Sequence, residues 1–188
     1  VRVDTTLKHP GDVDWAVTRL DDPVDVGGLE LRNRLYRAPL LECAGTDADT
    51  ADALRRDLEP AAASGAGLVC QGATIVRGEG GCAAPNMTRV HDDAFVQSLA
   101  PVPEAIEERG GRVFAQLEHG GLRSMEVWHA EYRDAHPDVE QVAVSEPPLP
   151  MRLADRAGFL DLSARVLSTD EVYDLAEDFG RAAERLAD

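Results

Sequence analysis

A glycine-punctuated stretch, GGRVFAQLEHGG (Gly110–Gly121), constrains the fold more than any other part of this chain. Val113, Phe114, Ala115 and Leu117 form a short apolar strand, and the glycine pairs turn the chain at both ends. Gln116, Glu118 and His119 gather at its C-terminal end, where strand ends in α/β folds carry polar side chains into a pocket. Upstream, SGAGLVCQGATIV contains a continuous apolar run, Leu68–Val76, of the kind found in strands covered on both faces. Between the two runs, Asp92–Arg109 places Phe95, Leu99, Val102 and Ile106 on one side of a helix whose middle is disturbed by Pro101 and Pro103. Strand, helix, strand at these lengths implies a right-handed crossover and a parallel sheet.

The rest of the chain extends this pattern. Val24–Arg32, VDVGGLELR, alternates around Gly27-Gly28 and predicts a hairpin that plugs the bottom of a barrel. Asn33–Leu41 predicts a first buried strand ended by Pro39. Thr46–Ser64 predicts a helix capped by Thr46 or Asp47, with Ala51, Leu54, Leu58 and Ala62 on its inner face and a kink or division at Pro60. Arg77–Arg89 is a glycine-rich loop, but its GEGG lacks the G-K-[ST] of a phosphate loop. Leu122–Leu167, with Pro137, Pro147, Pro148 and Pro150, has little period and predicts a long functional loop. Ser168–Ala187 predicts a final helix started by Ser168 or Thr169 with Asp170 or Glu171. Val1–Pro23 predicts an arm or short helix through Val13, Trp15, Ala16, Val17 and Leu20. The expected architecture is one α/β domain over residues 1–188: an arm (1–23), a hairpin (24–32) and about three βα units (33–188). That is the beginning of a (βα)8 TIM barrel, whose usual length is about 250 residues.

Charge excludes some partners. There are 35 acidic against 19 basic residues, a formal net charge of −16, with Lys8 the sole lysine. Such a surface repels nucleic acid and suits high salt, where screening shortens the reach of self-repulsion. Cys43, Cys70 and Cys82 show neither zinc-ligand spacing nor a C-x-x-C pair, so reduced thiols, no metal site and a cytoplasmic setting are expected. The absence of a long apolar run or signal peptide argues against membrane insertion or secretion. The lack of strand lysines and the scatter of His9, His91, His119, His129 and His136 count against Schiff-base or metal chemistry.

Taken together and in order, NRLYRAPL, SGAGLVCQGATIV, GGRVFAQLEHGG and DFGRAAERLAD resemble the flavin-dependent barrel family of old yellow enzyme, nearest to the branch of trimethylamine dehydrogenase and the dienoyl reductases. The resemblance implies an FMN oxidoreductase taking hydride from NADH or NADPH and passing it to an activated alkene or related small-molecule acceptor. It places the backbone of Pro39 and Leu40 against the flavin ring, Gly72 at the ring's edge where a side chain would obstruct it, and Gln116 on the pyrimidine portion through its amide. His119 is the candidate catalytic residue or a support of the flavin shell, and Arg77 and Arg123 are candidate rim cations. Three departures stand out: Leu122 where the family often has arginine, Leu41 where the amine dehydrogenase branch has its flavin-tethering cysteine, and an acidic Glu42 beside the expected ring. Covalent flavin attachment is therefore not expected. The resemblance covers only the N-terminal part of the family's barrel, so the expectation is an incomplete chain, or a split one that a second chain completes. The alternative is a non-catalytic remnant or interaction module of the same fold.

Overall fold

The computed structural model describes residues 18–124, 130–135, 137–160, 162 and 164–187. Most of the expected arm, and His9, His129 and His136, lie outside them. The hairpin forms as β1 (Val24–Val26) and β2 (Leu29–Leu31), paired antiparallel around Gly27 and Gly28. Both glycines have positive φ, 63° and 92°, which a tight two-residue hairpin turn requires at both positions. Gly28 N–H donates to the Asp25 carboxylate at 3.0 Å.

Beyond the hairpin, β3 (Tyr36–Arg37), β4 (Leu68–Ile75) and β5 (Arg112–Glu118) form a parallel sheet in the order β3-β4-β5. The connections are α1 (Thr50–Ala63) and then α2 (Asp93–Gln97) with α3 (Pro101–Glu108). The disturbed helix thus divides at Ser98–Ala100, and Pro101 opens α3, where a missing N–H costs nothing. Pro60, by contrast, neither divides nor ends α1. That helix starts at Thr50, later than expected, because Asp47 Oδ1 accepts the Asp49 N–H at 3.0 Å and turns the chain just before it. The expected first strand shrinks to two residues for lack of a longer pairing with β4.

One face of the sheet is covered. Leu54, Leu58 and Ala62 of α1 and Leu99, Val102 and Ile106 on and before α3 enclose Val69, with Val113 packed against them. Leu54 and Leu58 are fully buried, each contributing about 2 kcal/mol by leaving water. The opposite face, which carries Tyr36, Cys70, Phe114 and Gln116 by register and alternation, is open: Tyr36 is 64% and Phe114 42% exposed.

The long loop has more structure than its composition suggested. It contains α4 (Ala130–Ala135), α5 (Leu149–Arg156) and two short strands, β6 (Val142–Ala143) and β7 (Arg165–Val166), paired parallel with each other. These elements are too short to leave a period in the sequence. α6 (Thr169–Ala187) begins with a reciprocal capping box: Ser168 N–H donates to Glu171 at 2.8 Å and Glu171 N–H to Ser168 Oγ at 3.3 Å. Its Leu175 and Ala182 join Val76, Val90, Val142 and Leu167 in a second core cluster at the C-terminal end of the sheet.

The hairpin is locked in place by Arg32. Its guanidinium donates to the carbonyls of Arg109 (2.7 Å), Ala62 (2.7 Å) and Ala66 (2.9 Å), at the C-terminal ends of α3 and α1. Asn33 donates to Gly65 O at 2.7 Å and accepts from Gly67 N–H at 3.0 Å. The hairpin therefore lies at the end of the sheet where strands begin, consistent with a barrel plug.

Candidate flavin site

At the other end of the strands, β4 departs from regular pairing. Gln71 pairs with Ala115 and Thr74 with Leu117, so Gly72 and Ala73 together stand opposite Gln116 alone. This is a bulge, and Ala73 within it adopts a positive φ of 31°. The bulge aims two adjacent amides at polar groups: Ala73 N–H donates to Gln116 Oε1 at 3.2 Å and Gly72 N–H to Glu42 Oε2 at 2.8 Å. Gln116 is exposed, and with its oxygen held by Ala73 its amide orientation is fixed.

The peptide of Leu40 lies directly on Gly72. A Cβ at Gly72 would be 1.5 Å from Leu40 O and 2.5 Å from Leu40 C. Glycine is required here by this chain's own backbone. Pro39 precedes that contact in the segment leaving β3, and the Leu40 and Leu41 side chains are 62% and 50% exposed. Leu40, Gly72 and Gln116, drawn from three separate strand ends, thus lie side by side, with Gly72 buried under the Leu40 peptide and Pro39 one residue before it.

Glu42 is accounted for by a partner that the sequence did not disclose. Arg37 donates to Glu42 Oε1 at 2.8 Å, to Cys70 O at 2.9 Å and to Asp57 at 3.1 Å, and the Glu42 side chain is only 3% exposed. The Glu42 charge is thus balanced by Arg37 and buried.

His119 sits below a neighbouring loop. A Cβ at Gly81 would lie 2.7 Å from its Cδ2 and 2.9 Å from its Nε2. Nδ1 accepts from Gly121 N–H at 3.1 Å, while Nε2 is buried without a hydrogen-bond partner among the described residues. Burial first, and then the Arg77 charge, hold its pKa below the ordinary 6.5, against an opposing pull from Asp178. Arg77 is ion-paired with Asp178 of α6 rather than free at a rim, and Arg123 lies exposed in the 3-10 turn Gly121–Arg123. An unfolded histidine takes up a proton near pH 6.5 while folded His119 resists it, so the unfolded state binds more protons in that window. Stability is therefore expected to fall as pH drops from about 6.5 through the lower folded value. Urea midpoints across that range should fall less in His119→Gln, with a residue left by His91, whose pKa is also lowered, chiefly by burial.

A cleft of about 840 Å³ between α3 and α6 is lined by Gln71, Val96, Val113, Ala115 and Arg181. It lies on the helix-covered side of the sheet, opposite Phe114 and Gln116. Burial raises the pKa of Cys43 and of Cys70, which keeps both as thiols, and none of the three cysteines forms a disulfide. No helix among the described residues is long and apolar enough to cross a membrane.

A model of the NADH:flavin oxidoreductase / NADH oxidase family matches residues 19–188. The chain belongs to that family. FMN with a reduced nicotinamide is the cofactor set of NADH:flavin oxidoreductases of this kind. Curated relatives include a metal reductase of Desulforamulus reducens, 27% identical over 167 residues, covering 88% of this chain and 22% of that protein. The chanoclavine-I aldehyde reductase of Penicillium roqueforti is 27% identical over 169 residues, covering 89% of this chain and 42% of that protein. Among solved structures, morphinone reductase superposes with a TM-score of 0.69 at 26% identity, covering 92% of this chain and 46% of that one. The old yellow enzyme homologue from Zymomonas mobilis shares the fold, with a TM-score of 0.60 at 24% identity, covering 88% of this chain and 44% of that one. The fold is thus part of the TIM barrel of old yellow enzyme, and the chain spans less than half the length of each of these relatives.

The residues present fit a flavin. A glutamine amide of fixed orientation offers a donor and an acceptor to the pyrimidine edge, beside exposed Leu40, Leu41 and Phe114 that a planar ring would cover. Two features here escaped the sequence reading: the Ala73 amide that orients Gln116, and the Arg37 partner of Glu42. A glycine in mid-strand is the signal that could have revealed the bulge.

Proposed function

We propose that this chain supplies the first three βα units of an FMN-dependent oxidoreductase in which NADH or NADPH reduces the flavin and an activated alkene or related small molecule reoxidises it. The observation that carries this reading is the Gly72–Ala73 bulge, whose amide orients Gln116 while the Leu40 peptide seals its other side. Pro39, Leu40, Gly72 and Gln116 would hold FMN; the flavin supplies the hydride chemistry, and the protein supplies position and electrostatics. His119, with Nδ1 engaged and Nε2 buried, supports the loop beneath the site rather than touching substrate. Placement in the trimethylamine dehydrogenase and dienoyl reductase branch belongs to the same proposal, with Leu41 in the tether position leaving the flavin non-covalent.

The open face and the unpaired edge of β5 among the described residues call for further strands, from the same polypeptide or from a second chain. The test mixes this chain with FMN and NADH, with and without the family's remaining barrel strands. Flavin binding and NADH oxidation are expected only in the completed protein; a completed protein that binds no FMN contradicts the reading. A non-catalytic remnant is expected to have Gln116 blocked by other side chains, whereas here it is exposed.

The net charge of −16 supports a protein adapted to high salt, and the three cysteines without a disulfide support a cytoplasmic one. Its melting temperature is expected to rise between about 0.1 and about 1 M KCl as the screening length falls from about 10 to about 3 Å. An unchanged or falling melting temperature contradicts that adaptation.

A further inference from the structure

We propose that Glu42, held by Arg37, is a positioning residue for Gln116, acting through the Gly72–Ala73 bulge. The two side chains bind consecutive amides of that bulge, Glu42 Oε2 taking Gly72 N–H at 2.8 Å and Gln116 Oε1 taking Ala73 N–H at 3.2 Å. A bulge has lost the ladder bonds that fix a regular strand, so its amides point where their acceptors hold them. Here one acceptor is a carboxylate, which makes the stronger bond. The carboxylate is itself immobilised: its second oxygen is bound to Arg37, whose guanidinium is also tied to Cys70 O and Asp57, and the two side chains are 3% and 14% exposed. Arg37, Glu42, Gly72, Ala73 and Gln116 thus form a continuous relay from α1 to the amide that faces the site. It gives an unexpected acidic residue a task other than contact with a ring. What Gln116 receives rests on the flavin reading above; the coupling between Glu42 and Gln116 does not.

The experiment is backbone and side-chain amide NMR on the chain without FMN, comparing Glu42→Gln with Glu42→Leu. Both lose the ion pair, but only glutamine keeps an oxygen for Gly72 N–H. In Glu42→Leu, hydrogen exchange at Gly72 and Ala73 is expected to quicken by about tenfold or more, with the Gln116 side-chain amide resonances displaced, while Glu42→Gln stays within about threefold of wild type. Breaking a buried pair endangers folding, so Arg37→Met combined with Glu42→Leu, an apolar replacement of the whole pair, is measured alongside and is expected to show the same quickening at Ala73. Unchanged Ala73 exchange and Gln116 resonances in Glu42→Leu and in the double variant overturn the proposal, as does an equal effect of Glu42→Gln and Glu42→Leu. FMN titration of the completed wild-type protein, run separately, decides the flavin reading: failure there with the NMR pattern intact removes the ligand but leaves the relay.

Discussion

Gly72→Ala is expected to destabilise the chain by at least about 3 kcal/mol, at the upper end of what overpacking costs. The added methyl would fall 1.5 Å from Leu40 O, 2.5 Å from Leu40 C and 2.6 Å from Leu40 N, all backbone atoms that cannot rotate aside. β4 has limited room to yield, because the bulge is pinned to β5 on both sides, at Gln71–Ala115 and at Thr74–Leu117. Relief has to come from lifting the Leu40 peptide, which dismantles the surface formed with Gln116. Urea unfolding should show the loss, and FMN binding by the completed protein should fall with it. Gly78→Ala, at a position with nothing within 4 Å of the added carbon, is the control and is expected to stay within about 0.5 kcal/mol of wild type.

Arg32→Ala is expected to cost about 2–3 kcal/mol, for a different reason. Three carbonyls at the ends of two helices lose charge-assisted bonds of 2.7, 2.7 and 2.9 Å, and the negative ends of both helix dipoles lose their cation. The exposed position of the residue keeps the figure from going higher, since water can replace part of what is lost. Lysine should restore less than half, because one ammonium cannot span carbonyls that a planar guanidinium reaches together. Arg34→Ala, nearby and exposed, should change thermal stability by no more than about 0.5 kcal/mol. A loss at Arg34 as large as that at Arg32 would show that general charge, not helix capping, is at work.

Periodic elements were legible in the sequence, and contacts that depend on closure in space were not. The apolar run Leu68–Val76 and the VFAQL strand announced a parallel sheet because a strand covered by helices leaves a continuous apolar signature. The Gly27-Gly28 turn and the Ser168–Glu171 capping box were readable because each is a local motif with its own chemistry. The role of Arg32 left no mark in the sequence, since nothing local says that the ends of α1 and α3 meet beside it. The two-residue pairing of β6 with β7 was illegible for the same reason: two residues carry no period. At the site, Pro39, Leu40, Gly72 and Gln116 were named from resemblance, and the structure brings them together. For Gly72 the structure adds a reason that the sequence could not show, the Leu40 peptide packed against its Cα. Glu42 looked out of place until Arg37, five residues earlier and across a proline, was found beside it.

The most direct measurement is an absorbance titration of the completed protein with FMN, wild type beside Gln116→Ala. Loss of the amide's donor and acceptor, at about 1 kcal/mol each, should weaken binding by about tenfold or more, alongside a stability loss of about 1 kcal/mol from the Ala73 N–H left without its acceptor. Equal affinity in the two proteins would contradict the claim that the bulge exists to present Gln116 to a flavin.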